Sequence, residues 1–200
     1  MRYICLVLVL MAALMLPVPT AHAIPITYVT TLSGANEIPP SGSLGTGLAT
    51  VIVDSVANTM HVDVTFGGLG SGTTASHIHC CVQPPPPALL GNLLVATTTP
   101  FFTGFPIGVT AGDYHHDFDL TLASSYNPAF VTAENNSIPQ AEAALLAALA
   151  AGTSYLNVHT TNFPGGEIRG FLVAAVPEPA SMVALGSALL GLYAIRRRRR

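Results

Sequence analysis

Residues 76–81 read Ser-His-Ile-His-Cys-Cys, between a glycine-rich turn at 67–72 and a run of four prolines. The turn residues on both sides and the apolar content of the run predict a β-strand. Because side chains alternate between the two faces of a strand, His77, His79 and Cys81 are expected to share one face. Residues two apart on a strand lie roughly 6.5–7 Å apart. Two imidazoles at that spacing can lean toward one metal ion.

Alternating apolar residues predict further strands on both sides of this run. The clearest covers 60–66, in which Met60, Val62, Val64 and Phe66 face one way. Many short strands separated by glycine and proline turns indicate an all-β domain, an antiparallel sandwich or barrel. The aromatic loop at 101–106 is expected to cap its core. The other predicted strands cover residues 27–32, 45–56, 93–98, 113–122, 155–160 and 167–174.

One segment, 137–151, has the features of an α-helix. Ser137 predicts the N-cap, Gln140 completes a capping box, and Pro139 lies in the first turn. An alanine-rich stretch with three leucines follows, and Gly152 ends the helix. The predicted fold is therefore an antiparallel β-sandwich or barrel with one inserted short helix.

The N-terminal end has the composition of an export signal. Residues 1–23 contain a single Arg2, an apolar run and the sequence Ala-His-Ala. This is the pattern of a secretory signal peptide that is cut before Ile24. A membrane anchor is the weaker interpretation, because the apolar run is short for a span and ends at two prolines. The β domain is expected to cover 24–175.

The C-terminal segment, 176–200, has three parts in order. Pro177, Glu178 and Pro179 form a rigid extended break, an apolar stretch follows at 180–195, and five arginines end the chain. The simple interpretation is a C-terminal helix that anchors the protein in a membrane. The apolar stretch with its flanks approaches the length of a span, and the arginines mark the cytoplasmic side.

The same order of parts resembles the PEP-CTERM sorting signal of bacteria. The resemblance implies export across the inner membrane and a transient membrane anchor. It also implies recognition of Pro177, Glu178 and Pro179 by an exosortase, a membrane-embedded protease, with cleavage near that site. The protein is then expected to be released or attached at the cell surface, often alongside exopolysaccharide or surface proteins.

Charge limits the partners of the domain. Between residues 24 and 175 the chain has nine acidic residues and one base, Arg169, so its formal charge is −8 with neutral histidines. This balance argues against nucleic acid and against anionic membrane surfaces as partners. Arg169 is expected to pair with Glu167, on the same strand face, or with an acid of a neighbouring strand.

Two cysteines, Cys80 and Cys81, remain after removal of the signal peptide. Export places them in an oxidising compartment. Adjacent residues of a strand point to opposite faces, which makes a disulfide between them geometrically poor. Three interpretations stay open: a vicinal disulfide, thiols that link to another chain, and a thiolate that acts on a soft metal near the histidines.

Two other polar groups are interpreted as parts of solvated faces. His61 alternates with the apolar residues of its strand, so it is expected to face solvent. The segment 113–119 is rich in Asp and His, and it alternates with apolar positions in the same way. The alternative for this segment is a site for Ca²⁺ or a transition metal.

Three segments together resemble a CHRD domain, the module first described in chordin. They are Leu-Ser-Gly-Ala-Asn-Glu-Ile-Pro-Pro at 32–40, the His77-Ile78-His79 strand, and Tyr-Leu-Asn-Val-His-Thr at 155–160, which continues into Pro-Gly-Gly-Glu-Ile-Arg-Gly at 164–170. The resemblance implies an extracellular β-sandwich-like domain and carries no enzymatic assignment.

A more distant likeness is to the copper–zinc superoxide dismutases. Those proteins also place a His-x-His on a strand of a β-sandwich and add a histidine from a late strand. By that likeness, His77, His79 and His159 form a three-imidazole site for copper or zinc, with Cys80 or Cys81 nearby. The loop that would hold a second, zinc site is missing from the sequence.

Two functions therefore compete. The first is a non-enzymatic binding or structural module at the cell surface or in the extracellular matrix. The second is a mononuclear metal-binding domain, redox-active if it holds copper. A hydrolase is disfavoured, because the chain has no Gly-x-Ser-x-Gly elbow and no Ser/His/Asp spacing. No catalytic residue is predicted.

Overall fold

The computed structural model describes residues 24–81 and 93–175. This part of the chain is mostly antiparallel β-sheet, which confirms the predicted all-β class. Its eight strands are β1 (Ile26–Ser33), β2 (Thr46–Asp54), β3 (Thr59–Gly67), β4 (Thr73–His79), β5 (Gly112–Asp119), β6 (Tyr155–Thr160), β7 (Ile168–Phe171) and β8 (Val173–Ala174).

The strands form one curled sheet that resembles half of a barrel. Its order is β4-β6-β7-β1-β2-β3-β5, and β8 pairs with β1. Strand β1 pairs with β2 over its whole length, from Ile26 opposite Val53 to Ser33 opposite Thr46. At Ser33 it also pairs with Arg169 of β7, so β1 joins the two halves of the sheet.

The inner face of β2, β3 and β5 forms much of the core, as their alternation predicts. Every second residue of β3 is buried, while the residues between them are partly exposed. Two aromatic residues of the loop at 101–106, Phe102 and Phe105, are also buried and cap this core. The buried residues of β2 and β3 are Ala49, Val51, Val53, Met60, Val62, Val64 and Phe66.

Two α-helices, rather than the single one predicted, follow β5. Helix α1 (Pro128–Ala133) is a short helix capped by Asn127, and helix α2 (Ile138–Ala150) is capped by Ser137 as expected. The capping box is not formed, because the Gln140 side chain accepts a hydrogen bond from Asn135 instead. A sequence pattern of six residues is too short to distinguish α1 from a loop.

The strands predicted at 93–98, 113–122 and 167–174 are interrupted or shorter in the structure. Residues 93–98 form only isolated bridges, at Val95 and Thr97. Strand β5 ends at Asp119, and Leu122 is half exposed. The closing strand is divided into β7 and β8. In each case the alternation of the sequence continues beyond the residues whose backbone pairs with a neighbouring strand.

Strands β4 and β6 are buried on both faces, which is unusual for an antiparallel sheet. Their apolar residues, such as Ile78 and Leu156, pack into the core. The opposite face carries polar residues that are also largely buried. We call it the polar face. It comprises His77, His79, Tyr155, Asn157, His159 and Arg169, with Glu37 beside them from the loop after β1.

Candidate metal centre

Three histidines converge on the polar face. His77 and His79 lie on β4, and His159 lies on the neighbouring strand β6. The antiparallel register places Asn157 opposite His77, which puts His159 diagonal to His77. One ring nitrogen of each histidine lies within 4.8 Å of one from each of the others. The structure thus brings together the three histidines that the sequence singled out.

Each imidazole is held by a hydrogen bond to a backbone carbonyl. A carbonyl oxygen can only accept, so the bonded ring nitrogen carries the proton and the other nitrogen offers a lone pair. Such outer hydrogen bonds fix the tautomer and orientation of metal-ligating histidines. The three bonds run from His77 Nε2 to Pro100 O (2.7 Å), from His79 Nδ1 to Leu93 O (2.7 Å) and from His159 Nδ1 to Pro164 O (2.9 Å).

The remaining nitrogens are buried and take part in no hydrogen bond with any residue in 24–81 or 93–175. They are His77 Nδ1, His79 Nε2 and His159 Nε2. Three buried lone pairs without donors are costly, whereas one cation satisfies all of them. A tetrahedral ion with bonds near 2.0 Å holds its ligands roughly 3.3 Å apart. One ring nitrogen of each histidine lies within 4.8 Å of the others, so the rings would move closer to hold such an ion.

The electrostatics of the site keep the imidazoles neutral. Burial lowers the pKa of His77 and of His79 to about 4, against the weaker opposing effect of their carbonyl hydrogen bonds. Burial also lowers the pKa of His159. Neutral imidazole is the form that binds metals. The site is therefore ready to take a cation without first releasing protons at neutral pH.

An aromatic stack supports the site from one side. The His79 ring stacks on the Tyr155 ring with centroids 4.7 Å apart, and the guanidinium carbon of Arg169 lies 4.7 Å from the Tyr155 centroid. Leu93 ties the two rings together, since its carbonyl accepts from His79 and its N–H donates to the Tyr155 hydroxyl (3.1 Å). The stack limits rotation of the His79 ring.

Arg169 pairs with Glu37 in the structure. Arg169 Nε lies 3.5 Å from Glu37 Oε2, and both side chains are buried. Arg169 Nε also donates to Asn36 O (2.5 Å), and Asn36 Nδ2 donates to the Arg169 carbonyl (3.0 Å). The loop after β1 is thereby bound to β7. The partner is neither of the two that the sequence suggested, Glu167 or an acid of a neighbouring strand, because Glu37 lies in the loop after β1.

Glu167, the other candidate, has different partners. Its Oε1 accepts from Ser43 Oγ (2.6 Å) and the Gly70 amide (2.6 Å), and its Oε2 accepts from Thr160 Oγ1 (2.5 Å). A buried carboxylate with several donors is a structural tie. Glu167 joins the loops before β2 and after β3 to the end of β6.

Cys80 and Cys81 form a vicinal disulfide. The alternation that made this bond improbable does not hold, because β4 ends at His79 and Cys81 has a positive φ of 73°. With both sulfurs in the disulfide, neither is a thiolate. The interpretations in which Cys80 or Cys81 ligates a metal or links to another chain are therefore not realised in this form.

The other Asp/His group lies on the solvent-facing side of β3 and β5. His61 bridges Asp63 (3.0 Å) and Asp117 (2.6 Å), and the hydrogen bond to Asp117 raises its pKa. His61 is only partly buried, as its alternation predicted. In the described part of the chain, the three histidines form the one group of this kind close enough to hold a metal ion.

Sequence reasoning missed Glu37 and Asn157 as neighbours of the site. Asn157 shares a strand face with His159, so the alternation of β6 contained a signal for it. Glu37 arrives from a loop about 120 positions away from His159 in the sequence. No local pattern predicts which loop covers a sheet face.

The two end segments lie outside the described residues. These are the predicted signal peptide at 1–23 and the segment 176–200 with Pro177, Glu178 and Pro179. Within the described residues, no helix is both long and apolar enough to cross a membrane.

Comparison with known families identifies two regions of the chain. Residues 28–172 match the family model of the CHRD domain, and residues 175–199 match the PEP-CTERM protein-sorting motif. No curated protein and no solved structure matches the chain. The sorting motif implies export, a transient membrane anchor at the C-terminus and processing by an exosortase. The chain belongs to the CHRD domain family and carries a C-terminal PEP-CTERM sorting motif.

Proposed function

We propose that this protein is a non-enzymatic module of the cell surface that binds one copper or zinc ion through His77, His79 and His159. The observation that carries the proposal combines two facts about the three imidazoles. Each donates to a carbonyl and keeps one buried nitrogen without a hydrogen bond in the described residues, and one ring nitrogen of each lies within 4.8 Å of one from each of the others. That arrangement is the usual outer hydrogen bonding of metal-bound histidine.

The donor set limits the choice of metal. Three neutral imidazoles suit zinc and copper, and they bind Cu²⁺ more tightly than Zn²⁺ in the general order of stability. The disulfide removes the thiolates that would favour Cu⁺. We expect divalent copper to bind most tightly, and zinc to bind at the same place.

The non-enzymatic and surface parts of the proposal rest on the family and the tail. The CHRD match supports an extracellular module, and the sorting motif supports export and a surface location. Neighbouring exopolysaccharide or surface proteins are the proposed partners there. The domain's charge of −8 makes nucleic acid an unsuitable one.

The metal proposal is tested by titrating the purified, disulfide-intact protein with Zn²⁺ and Cu²⁺ against a chelator of known affinity. We expect one site for either ion, with a lower dissociation constant for Cu²⁺. In the His77→Ala/His79→Ala variant the dissociation constant should rise at least about 1,000-fold, because two of three ligands are gone.

A matched control is the His61→Ala/His115→Ala variant, which removes two histidines from the solvent-facing side of β3 and β5. Its metal affinity should equal that of the wild type. Equal loss in both double variants would assign binding to dispersed surface histidines, and unchanged binding in the His77/His79 variant would refute the site. The protein would then be a display module whose histidines hold loops.

Processing of the tail gives a separate prediction. If an exosortase cuts at the Pro-Glu-Pro site, mass spectrometry of the surface form should give a C-terminus near Glu178. The immature form in the membrane should still contain the terminal arginines. Intact Arg200 in the mature surface pool would contradict cleavage and favour a permanent tail anchor.

A further inference from the structure

Asn157 occupies the centre of the polar face. It lies opposite His77 on β4 and opposite Arg169 on β7, and its side chain contacts the His79 ring. The residue is 2% exposed. Its Oδ1 is buried and accepts no hydrogen bond from the residues that the structure describes. An acceptor oxygen without a donor in the described residues therefore lies on the same face as the three histidines, on a side chain that neighbours His79.

Glu37 adds a second such oxygen. Its Oε2 faces Arg169, whereas its Oε1 is buried and has no donor among residues 24–81 and 93–175. Glu37 Oε1 and Asn157 Nδ2 both lie within 2.8 Å of the point where a Cβ on Gly166 would stand. The carboxylate and the amide thus lie side by side, and the missing side chain of Gly166 keeps space between them.

The three ring nitrogens and the two side-chain oxygens need different partners. A metal ion accepts the lone pairs of the three nitrogens, but it has no hydrogen to give to Asn157 Oδ1 or Glu37 Oε1. A water molecule on the metal has two hydrogens and supplies that donor. The three histidines, moreover, leave at least one coordination position of a four-coordinate ion to a ligand from outside the trio.

We infer that the bound metal carries one exchangeable oxygen ligand, a water that a small monodentate anion can replace. The Asn157 amide oxygen positions this water, and the Glu37 carboxylate is the second acceptor. The inference rests on the proposed function, since it requires the metal. It adds that the site is open to a ligand from solution rather than closed by protein groups.

A groove lies on the Glu37 side of the site. Its volume is about 430 Å³, and it runs between the loop at 37–41 and the turn at 162–166, with Glu37 among its lining residues. The turn also contains Pro164, whose carbonyl anchors His159. The turn at 162–166 therefore both lines the groove and supplies the carbonyl that anchors His159.

The test uses the disulfide-intact protein loaded with Co²⁺, whose visible bands report its coordination, and azide as the probe anion. We expect azide to change the visible spectrum with saturation at one anion per metal. In the Cu²⁺-loaded protein, water enriched in ¹⁷O should broaden the electron paramagnetic resonance lines, and azide should remove the broadening. These two readouts need no variant.

The Asn157→Leu variant then tests the role of the amide. Azide affinity should fall at least about tenfold, while Co²⁺ affinity changes by less than about threefold. The matched control is Asn162→Leu, an exposed residue of the groove rim, which should leave both affinities unchanged. Equal azide affinity in the wild type and in Asn157→Leu would overturn the role of Asn157.

The outcomes separate this inference from the proposal it rests on. Failure of Co²⁺, Cu²⁺ and Zn²⁺ to bind would overturn both. Stoichiometric metal binding that His77→Ala/His79→Ala abolishes, with no azide response and no ¹⁷O broadening, would overturn only the exchangeable ligand. The site would then be closed by a fourth ligand from the protein.

Discussion

Replacement of Arg169 by methionine is expected to lower the free energy of unfolding by about 3–5 kcal/mol, the usual cost of breaking a buried ion pair by removing one partner. Arg169 and Glu37 are both buried, and no other base lies between residues 24 and 175. The Glu37 carboxylate would lose its compensating charge. The change also removes the hydrogen bond to Asn36 and the cation–π contact with Tyr155. Urea denaturation of the metal-free protein measures the loss.

The loss should grow with pH. Burial raises the pKa of Glu37 to about 7, although Arg169 opposes this rise. At about pH 5.5 the carboxyl is protonated in both proteins, so the missing charge matters less than at about pH 8.5. The control is the Glu37→Gln/Arg169→Met double variant, which should regain at least about 2 kcal/mol relative to the single variant. A double variant as unstable as the single one would mean that Arg169 acts through packing alone.

Acidification of the metal-free protein from pH 6.5 to pH 4 is expected to lower the free energy of unfolding by about 3 kcal/mol for each of His77 and His79. Their pKa values are lowered to about 4 by burial, whereas histidine in the unfolded chain titrates near 6.5. The unfolded chain therefore takes up protons in this window before the folded domain does. The contribution of these two histidines to stability is present above pH 6.5 and is lost as the pH falls toward 4.

Glu37 acts in the opposite direction, because its raised pKa favours the folded domain as the pH falls from 7. The comparison is therefore with the His77→Gln/His79→Gln variant, which retains Glu37. Urea denaturation at several pH values after chelation should give a much flatter acid limb in the variant. Parallel profiles in the two proteins would show that the histidines are not held neutral in the fold.

The alternation of the sequence was sufficient to predict the strands that have one apolar face. Strand β6 has the predicted bounds, and β3 exceeds the predicted segment 60–66 by one residue at each end. The same alternation placed His77 and His79 on one side of β4. His159 was added to the site through the likeness to the copper–zinc superoxide dismutases. The register of β4 with β6 places it diagonal to His77.

The rest of the site depends on contacts between distant parts of the chain. Glu37 reaches Arg169 from the loop after β1, and Leu93 and Pro100 anchor two histidines from a segment without regular strands. Loops are positioned by the scaffold that they cover, so no periodicity reveals them. The vicinal disulfide stayed one of three open interpretations for a similar reason, because the turn at Cys81 breaks the alternation of side chains along the strand.

The most direct measurement of the central claim is the metal content of the exported protein, purified without an affinity tag and analysed by inductively coupled plasma mass spectrometry. We predict about one copper or zinc ion per chain, and none in the His77→Ala/His79→Ala variant prepared in parallel. A wild-type protein that remains free of metal after incubation with both ions would contradict the account.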